Sequence, residues 1–377
     1  MTAPLPCWFR DDTPGPATHV LVIGVSEYPF RPLSDLDDLP SGATSADLFA
    51  RWMRDRYPGG DRRLGSIRLL LAPTDDERPY VSGGDTVPRA DGAAVHQALH
   101  EWAQDCRSSP ENVAVLYICG HGVQETDDGA IVLLRDAGAI GDPFDAAVDV
   151  AGVRKGLSLD GCPTRQWYFV DACRVPAHGL DDYAGPLRGR ITLEPRRGTG
   201  PAHRPIFFAA APGTAAWQSG VGSVFVRALL ECLDLDARTR LDGDEERWGV
   251  TAESLHRHLW RRAHQLAALG AEEQTVMVGG SHLSDIAFLE CEVPSVPVTL
   301  FVDPAAAQHA VGCTARIFEG DVQALERRPL PVIDVPVPAG IWTLAVAFDP
   351  PHPQFAPETV ASVQVAPPKA HKTVTLR

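Results

Sequence analysis

Runs of consecutive, mostly apolar residues recur along the first two thirds of the chain, and small or polar residues close each run. They cover residues 19–25, 67–71, 112–118, 166–170 and 205–211. A strand that is buried on both faces of a parallel sheet has such a near-continuous apolar run. The pattern therefore predicts the core strands of a mainly parallel sheet. A shorter run at 129–134 predicts a short strand or hairpin.

Segments with helical spacing separate these runs. They lie at about 41–57, 93–106, 150–157, 222–233 and 251–269, and the last is followed by glycine, which commonly terminates helices. Strands that alternate with helices predict an α/β fold, in which a mainly parallel sheet carries helices on both faces.

Two stretches depart from this alternation. Residues 174–204 are rich in proline, glycine and arginine and show little periodicity, which predicts a long surface loop. From about residue 294, short alternating runs are separated by Pro, Gly and Asp, which predicts a small all-β domain of the sandwich type. We therefore expect an N-terminal extension at 1–17, an α/β domain at 18–290 and a sandwich-like domain at 294–377.

The composition narrows the possible classes of function. The 377 residues are 44% hydrophobic and 22% charged, and the formal net charge of −15 argues against nucleic acid or an anionic membrane as a partner. The N-terminal residues have no apolar signal segment, and no apolar run reaches the roughly 18 residues of a membrane span. The eight cysteines include no CxxC pair, so a reducing cytoplasm is the expected location.

Two of the apolar runs lead to residues that can carry nucleophilic chemistry. The run at 112–118 is followed closely by His121 and Gly122, and the run at 166–170 by Cys173. Open parallel sheets place their chemistry at the carboxyl ends of strands, so the imidazole and the thiol can meet there if their strands are neighbours. The histidine can take the thiol proton, and the N–H groups of Gly122 and Cys173 can stabilise an oxyanion.

Taken singly, neither residue is decisive. A lone histidine in a strand-end loop is more often structural, and a lone cysteine among apolar residues is usually an inert core residue. Their pairing favours a catalytic dyad, because each follows an apolar strand and lies among small residues.

These blocks resemble those of the bacterial caspase-like cysteine peptidases, which are related to the metacaspases (orthocaspases) and to the wider caspase clan. His121 and Cys173 are 52 positions apart, similar to the caspase spacing. The resemblance covers roughly residues 18–288. The matching segments are 20–24, 117–122, 168–173 and 222–229.

The resemblance implies a caspase-like fold and a role for each of these residues. His121 would be the general base and Cys173 the nucleophile, and the N–H groups of Gly122 and Cys173 would form the oxyanion hole. The loop at 174–204 matches the linker that is cut when caspases mature. Its arginines would be the self-cleavage sites: Arg188, Arg190, Arg196 and Arg197.

Asp171, two residues before Cys173, is the position that the resemblance connects with specificity. Caspases have glutamine there and cleave after acidic residues, whereas metacaspase-like members have aspartate and cleave after Arg or Lys. A buried carboxylate can bind a basic side chain through charge-assisted hydrogen bonds, which predicts cleavage after Arg, with Lys second. The alternative is that Asp171 only accepts hydrogen bonds from loop N–H groups.

Two further residues are candidates for the substrate pocket. Asp47 lies in a loose version of the family's glycine–Asn–Asp–Ala block. Trp217 lies in the loop after the strand at 205–211, a segment that helps to form substrate subsites in relatives. For Trp217, core packing is an equally good interpretation.

We expect no resident metal or cofactor. Calcium activates many metacaspases, and the acidic segment at 234–246 leaves calcium binding open. The segment lacks the full EF-hand pattern, however, and a solvent-exposed run of charged residues is the other interpretation. No nucleotide-binding motif is present.

The sequence thus predicts a regulated endopeptidase that cleaves proteins at exposed Arg or Lys sites. By the resemblance it would act in a bacterial stress, defence or cell-death pathway. The C-terminal β domain would hold a regulatory partner, hold a substrate or regulate the enzyme itself, and a stabilising appendage is an equally good interpretation. Two alternatives stay open. One is an Asp-specific or separase-like protease with the same dyad, and the other is a catalytically silent scaffold on a caspase fold.

Overall fold

The structure is a computed structural model. The residues that it describes are 3–31, 36–59, 62–82, 87–126, 129–142, 144–158, 161–173, 191–193, 204–211, 214, 216, 218–219, 221–241, 247–270, 273–280, 286–310, 312–319, 322–327 and 333–376. By their internal contacts they form two compact units, Met1–Cys232 with Thr251–Glu290, and Leu233–Val250 with Cys291–Arg377. Residues 233–250, which lie inside the predicted α/β domain in sequence, thus belong to the second unit.

The described residues form the following strands and helices. In chain order the strands are β1 (Phe9–Arg10), β2 (Ala17–Val25), β3 (Arg63–Ala72), β4 (Val113–Gly120), β5 (Gly122–Thr126), β6 (Gly129–Leu133), β7 (Ala147–Asp149), β8 (Arg165–Ala172), β9 (Ile206–Phe208), β10 (Gln218–Ser219), β11 (Gly222–Ser223), β12 (Thr239–Arg240), β13 (Trp248–Thr251), β14 (Met277–Gly279), β15 (Ala287–Cys291), β16 (Ser295–Asp303), β17 (Cys313–Glu319), β18 (Val322–Arg327), β19 (Ile333–Pro338), β20 (Gly340–Phe348), β21 (Glu358–Val365) and β22 (Ala370–Thr375). The helices are α1 (Gly42–Asp55), α2 (Gly92–Arg107), α3 (Val150–Gly156), α4 (Val224–Glu231) and α5 (Ala252–Leu269), with a π-helical turn at Cys232–Asp236 and a 3-10 helix at Ala305–His309.

A seven-stranded sheet forms the centre of the first unit, in the order β1-β3-β2-β4-β8-β9-β14. The five inner strands are parallel, and β1 and β14 pair antiparallel at the two edges. Every residue of β2 and β4 is buried, as expected for strands that are covered on both faces. The predicted mainly parallel sheet is confirmed.

Helices cover both faces of this sheet. Helix α2 begins after Asp91, whose side chain accepts a hydrogen bond from a helix N–H, and buries Trp102 in the same core as Leu116 of β4. Tyr117 follows Leu116 on the strand, so it points to the opposite face. There it stacks on Phe49 of α1, with ring centroids 4.6 Å apart. Helix α4 contacts α1 and α5.

The N-terminal residues pack on the first unit. Phe9 of β1 pairs with Ile67 of β3. The side chain of Gln97 on α2 donates to the Ala3 carbonyl at 2.6 Å, and the Leu5 N–H donates to a Glu101 carboxylate oxygen at 3.2 Å.

Within the predicted loop at 174–204, residues 191–193 are anchored in the core. The Ile191 N–H donates to the Ala147 carbonyl, and the Asp149 N–H donates to the Ile191 carbonyl, both at 3.0 Å. Ile191 is 5% exposed and Leu193 is 2% exposed. The prediction of a surface loop is therefore wrong at Ile191 and Leu193, because Ile191 bridges to the β7 edge of the small sheet β5-β6-β7 and both apolar side chains are buried.

The described residues of the second unit are all-β apart from two short helical turns. One sheet has the order β19-β16-β22 and the other has β18-β17-β20-β21, and their inward side chains share one core. Alternate residues of β16 are buried, as the period of two requires. Trp248, which comes from the 233–250 segment, lies in the same core with 5% exposure. The predicted C-terminal all-β architecture is confirmed.

Candidate active site

The parallel pairing of β4 with β8 brings the two candidate catalytic residues to one edge of the sheet. Gly120, the last residue of β4, lies opposite Ala172, the last residue of β8. His121 and Cys173 are the next residues on each strand, so they leave the sheet at the same level and at its carboxyl edge. Gly122 lies against the main chain that follows β8, since a Cβ at Gly122 would stand only 2.4 Å from the Cys173 carbonyl oxygen.

His121 is held by its main chain and by its ring. Its N–H donates to the Tyr28 hydroxyl at 2.8 Å, and its carbonyl accepts the Leu133 N–H at 2.9 Å. Nε2 lies 2.7 Å from the Asp37 carbonyl oxygen. Because a carbonyl can only accept, we assign the proton to Nε2, which leaves Nδ1 with the free lone pair.

The electrostatic surroundings of His121 favour a neutral imidazole. Burial lowers its pKa, whereas the bond to the Asp37 carbonyl and the charges of Asp38 and Asp37 raise it. Since burial is the strongest of these effects, the net pKa lies below the ordinary value. A neutral imidazole can accept a proton, as a general base must.

Cys173 carries a protonated thiol in its resting surroundings. Burial raises its pKa, the Ala216 N–H lowers it, and the Asp171 charge raises it, with a net result above the ordinary value. The Ala216 N–H donates to Sγ at 3.2 Å. In the part of the chain that the structure describes, no hydrogen bond joins the His121 and Cys173 side chains. The thiol therefore needs a base before it can attack a carbonyl.

Asp171 is a fully buried carboxylate next to the nucleophile candidate. Its Oδ2 accepts hydrogen bonds from the Tyr117 hydroxyl at 2.6 Å and from the Ser223 hydroxyl. Its Oδ1 has no hydrogen-bond partner among the described residues. Burial raises the pKa of Asp171 to about 6, against the opposing hydrogen bonds from Ser223, Tyr117 and Cys119.

Ser223 is held through both its hydroxyl and its main-chain N–H. Ser223 is the N-cap of α4, and its oxygen accepts the Val226 N–H at 2.9 Å. The Ser223 N–H in turn donates to the Ser45 hydroxyl on α1 at 2.8 Å. The residue whose hydroxyl binds Asp171 is therefore hydrogen-bonded to both α4 and α1.

The other predicted pocket residues are not brought to this site by any described contact. Asp47 is buried on α1, where Oδ2 pairs with Arg51 at 2.8 Å and Oδ1 accepts the Ser82 N–H at 3.1 Å. Trp217 lies outside the described residues, and so do the predicted self-cleavage sites, Arg188, Arg190, Arg196 and Arg197.

Three side chains and one main-chain carbonyl of this site were not predicted from the sequence. Tyr28 and Asp37 belong to the loop after β2, where no periodicity indicates which residues turn inward. Tyr117 lies on the predicted strand four residues before His121, and its hydroxyl is unusual within an apolar run. Ser223 stood in a matching segment, although nothing in the sequence pairs its hydroxyl with Asp171.

The described residues hold no group of three or more His, Cys, Asp or Glu side chains that could bind a metal ion. Of the acidic segment at 234–246, residues 242–246 lie outside the described ranges. All eight cysteines are free thiols. No helix in the described ranges has the length and apolarity to cross a membrane.

A comparison with known families decides which family the chain comes from. The family model described as the caspase domain matches residues 17–266, which include both strand ends of the site. The chain belongs to the caspase family of peptidases. No curated protein sequence matches this caspase-family chain.

Two solved structures are similar to this caspase-family protein at low sequence identity. Protein GSU0716 from Geobacter sulfurreducens is 14% identical, with a TM-score of 0.45 over 74% of this chain and 98% of that one. Caspase-1 from Spodoptera frugiperda is 13% identical, with a TM-score of 0.40 over 73% of this chain and 94% of that one.

Proposed function

We propose that the chain is a cysteine endopeptidase that cleaves proteins after a basic residue, with Arg preferred over Lys. The observation that carries this proposal is the pairing of β4 with β8, which sets His121 beside Cys173 and places the buried Asp171 two residues away. Nucleophile, base and a carboxylate for the substrate side chain then lie at one edge of the sheet.

In the proposed reaction, Nδ1 of His121 takes the thiol proton, and the Cys173 thiolate attacks the substrate carbonyl carbon. The carbonyl electron pair moves onto oxygen, where the N–H groups of Gly122 and Cys173 stabilise it. The tetrahedral intermediate collapses as the amide C–N bond breaks and His121 gives its proton to the leaving nitrogen. Water then hydrolyses the thioester by the same route and regenerates the thiol.

Asp171 would provide the preference for a basic side chain. Its Oδ1 is buried and lacks a hydrogen-bond partner among the described residues, whereas its Oδ2 is already held by Tyr117 and Ser223. A guanidinium can donate two N–H groups in a fixed geometry and a lysine ammonium is a compact point charge, so arginine is the preferred ligand. The same carboxylate would repel an acidic side chain, which disfavours the Asp-specific alternative.

The resting geometry favours a controlled protease over one that is always active. The thiol pKa is raised, and the histidine and cysteine side chains are bonded to main-chain groups rather than to each other. Substrate binding or cutting of the linker would have to bring them together. The reaction requires no cofactor, because the chain supplies nucleophile, base and oxyanion donors. We place this protease in a reducing cytoplasm, since its nucleophile is a free thiol.

An arginyl chloromethyl ketone, compared with its aspartyl analogue, tests this function. We expect the arginyl reagent to alkylate Cys173, located by peptide mass mapping, and the aspartyl reagent to react far more slowly. His121→Ala should reduce this labelling at least 100-fold. Cys7, a half-buried thiol bonded to main-chain carbonyls, is the internal control for unselective alkylation. Equal labelling of Cys7 and Cys173, or no labelling even after the linker is cut with trypsin, would support the silent scaffold instead.

A further inference from the structure

The Tyr28 hydroxyl connects the candidate base to the neighbouring hairpin. It accepts the His121 N–H at 2.8 Å and donates to the Leu133 carbonyl at 3.2 Å, so both of its hydrogen-bonding roles are used. Its ring lies against the His121 imidazole, with centroids 4.7 Å apart. Tyr28 is only 2% exposed, and a side chain at Gly120 would stand 2.9 Å from its hydroxyl.

The same loop contacts His121 at a second point, because the Asp37 carbonyl faces Nε2 at 2.7 Å. The loop is closed on itself at its base. The Leu39 N–H donates to the Ser26 carbonyl at 2.8 Å, and the Tyr28 N–H donates to the Asp38 carboxylate at 2.7 Å. These bonds tie Tyr28 to the residues that flank Asp37, and His121 contacts both Tyr28 and Asp37.

We propose that Tyr28 is a positioning residue for His121. It holds the main chain and the ring plane so that Nε2 stays on the Asp37 carbonyl and Nδ1 stays available as the proton acceptor. The expected loss of catalysis rests on the proposed function, whereas the expected tautomer of His121 does not. If Tyr28 only filled space, its ring would suffice and its hydroxyl could be removed without effect.

Tyr28→Phe tests the proposal because it keeps the ring and removes the hydroxyl. The first readout is the tautomer of His121 by ¹⁵N NMR, with the signal assigned by its loss in His121→Ala. We expect the Nε2–H form in the native protein and a mixture of both tautomers in Tyr28→Phe. An unchanged tautomer would overturn the proposal, whether or not the protein cleaves peptides.

The second readout is turnover of an arginyl peptide substrate. We expect kcat to fall about 10- to 100-fold, with KM within a factor of two, because misplacing a general base slows the chemical step rather than binding. Tyr57→Phe is the matched control, since it also removes a hydroxyl that is hydrogen-bonded within the same unit. An equal loss of kcat in both variants would assign Tyr28 a merely structural role.

The exposed residue Asp38 gives a second variant should Tyr28→Phe fail to fold. Asp38→Ala removes the acceptor for the Tyr28 N–H, whereas Asp38→Asn retains an acceptor oxygen and removes only the charge. We expect Asp38→Ala, and not Asp38→Asn, to mix the tautomers of His121. The same tautomer in both variants would again contradict the proposed positioning.

Discussion

Gly122 and Cys173 touch through their main chains: a Cβ at Gly122 would stand 2.4 Å from the Cys173 carbonyl oxygen and 2.7 Å from the Ala172 Cβ. Neither neighbour can move without shifting the end of β8, because both belong to the strand that carries the nucleophile candidate. The glycine after His121 is thus required by the distance between the two strand-end loops.

Gly122→Ala should therefore separate these loops. We expect a loss of at least 10-fold in alkylation of Cys173 by the arginyl ketone, with the far-UV circular dichroism unchanged. Gly92→Ala at the start of α2 is the control, since its nearest contacts would lie at 3.4 Å. Full reactivity of Gly122→Ala would show that the loops adapt and that their close approach is not needed.

Asp171→Asn should change the preference for the substrate's basic residue. The amide keeps the size of the side chain but removes the negative charge, so we expect kcat/KM for an arginyl substrate to fall about 100-fold or more. Asp75→Asn, at a carboxylate whose side chain is 96% exposed, is the control. Unchanged cleavage after arginine in Asp171→Asn would assign basic specificity to another residue.

The pKa of Asp171 also predicts how stability depends on pH. Burial raises this pKa from 3.8 to about 6 in the folded protein, so the folded state binds the proton more tightly than the unfolded state. The stabilisation from this group is therefore complete below pH 4 and is lost as the pH rises through 6. A shift of this size corresponds to about 3 kcal/mol in the free energy of unfolding.

Urea unfolding of the native protein and Asp171→Asn at pH 4 and pH 7 measures this effect. Between pH 4 and pH 7 we expect the free energy of unfolding of the native protein to fall by about 2 kcal/mol relative to that of Asp171→Asn, since a small part of the effect is already present at pH 4. A difference that does not depend on pH would mean that Asp171 is not a buried titrating group.

Calcium removal separates the proposed chemistry from the calcium alternative. Because the proposed reaction takes its nucleophile, base and oxyanion donors from the chain itself, we expect cleavage of an arginyl peptide to be the same in excess EGTA and in millimolar calcium. A calcium-dependent rise in kcat would revive the acidic segment at 234–246 as a binding site, and replacing its carboxylates by amides would then abolish that rise.

The sheet could be predicted from the sequence because its strands are buried on both faces and their apolar runs need no alternation. His121 and Cys173 could be paired because each directly follows such a strand. Tyr28 and Asp37 could not be found in this way, since their positions depend on the folded path of an irregular loop. The triplet at 191–193 was missed because three residues are too few to show a period.

The division of the first unit into two stretches of chain has a practical consequence. Trp248 lies in the core of the second unit, although it precedes Thr251, where the chain re-enters the first unit. A protein shortened after residue 290 would keep Trp248 while losing the sheets that bury it. To isolate the first unit, residues 233–250 should be replaced by a short polar linker, in addition to removing the C-terminal residues.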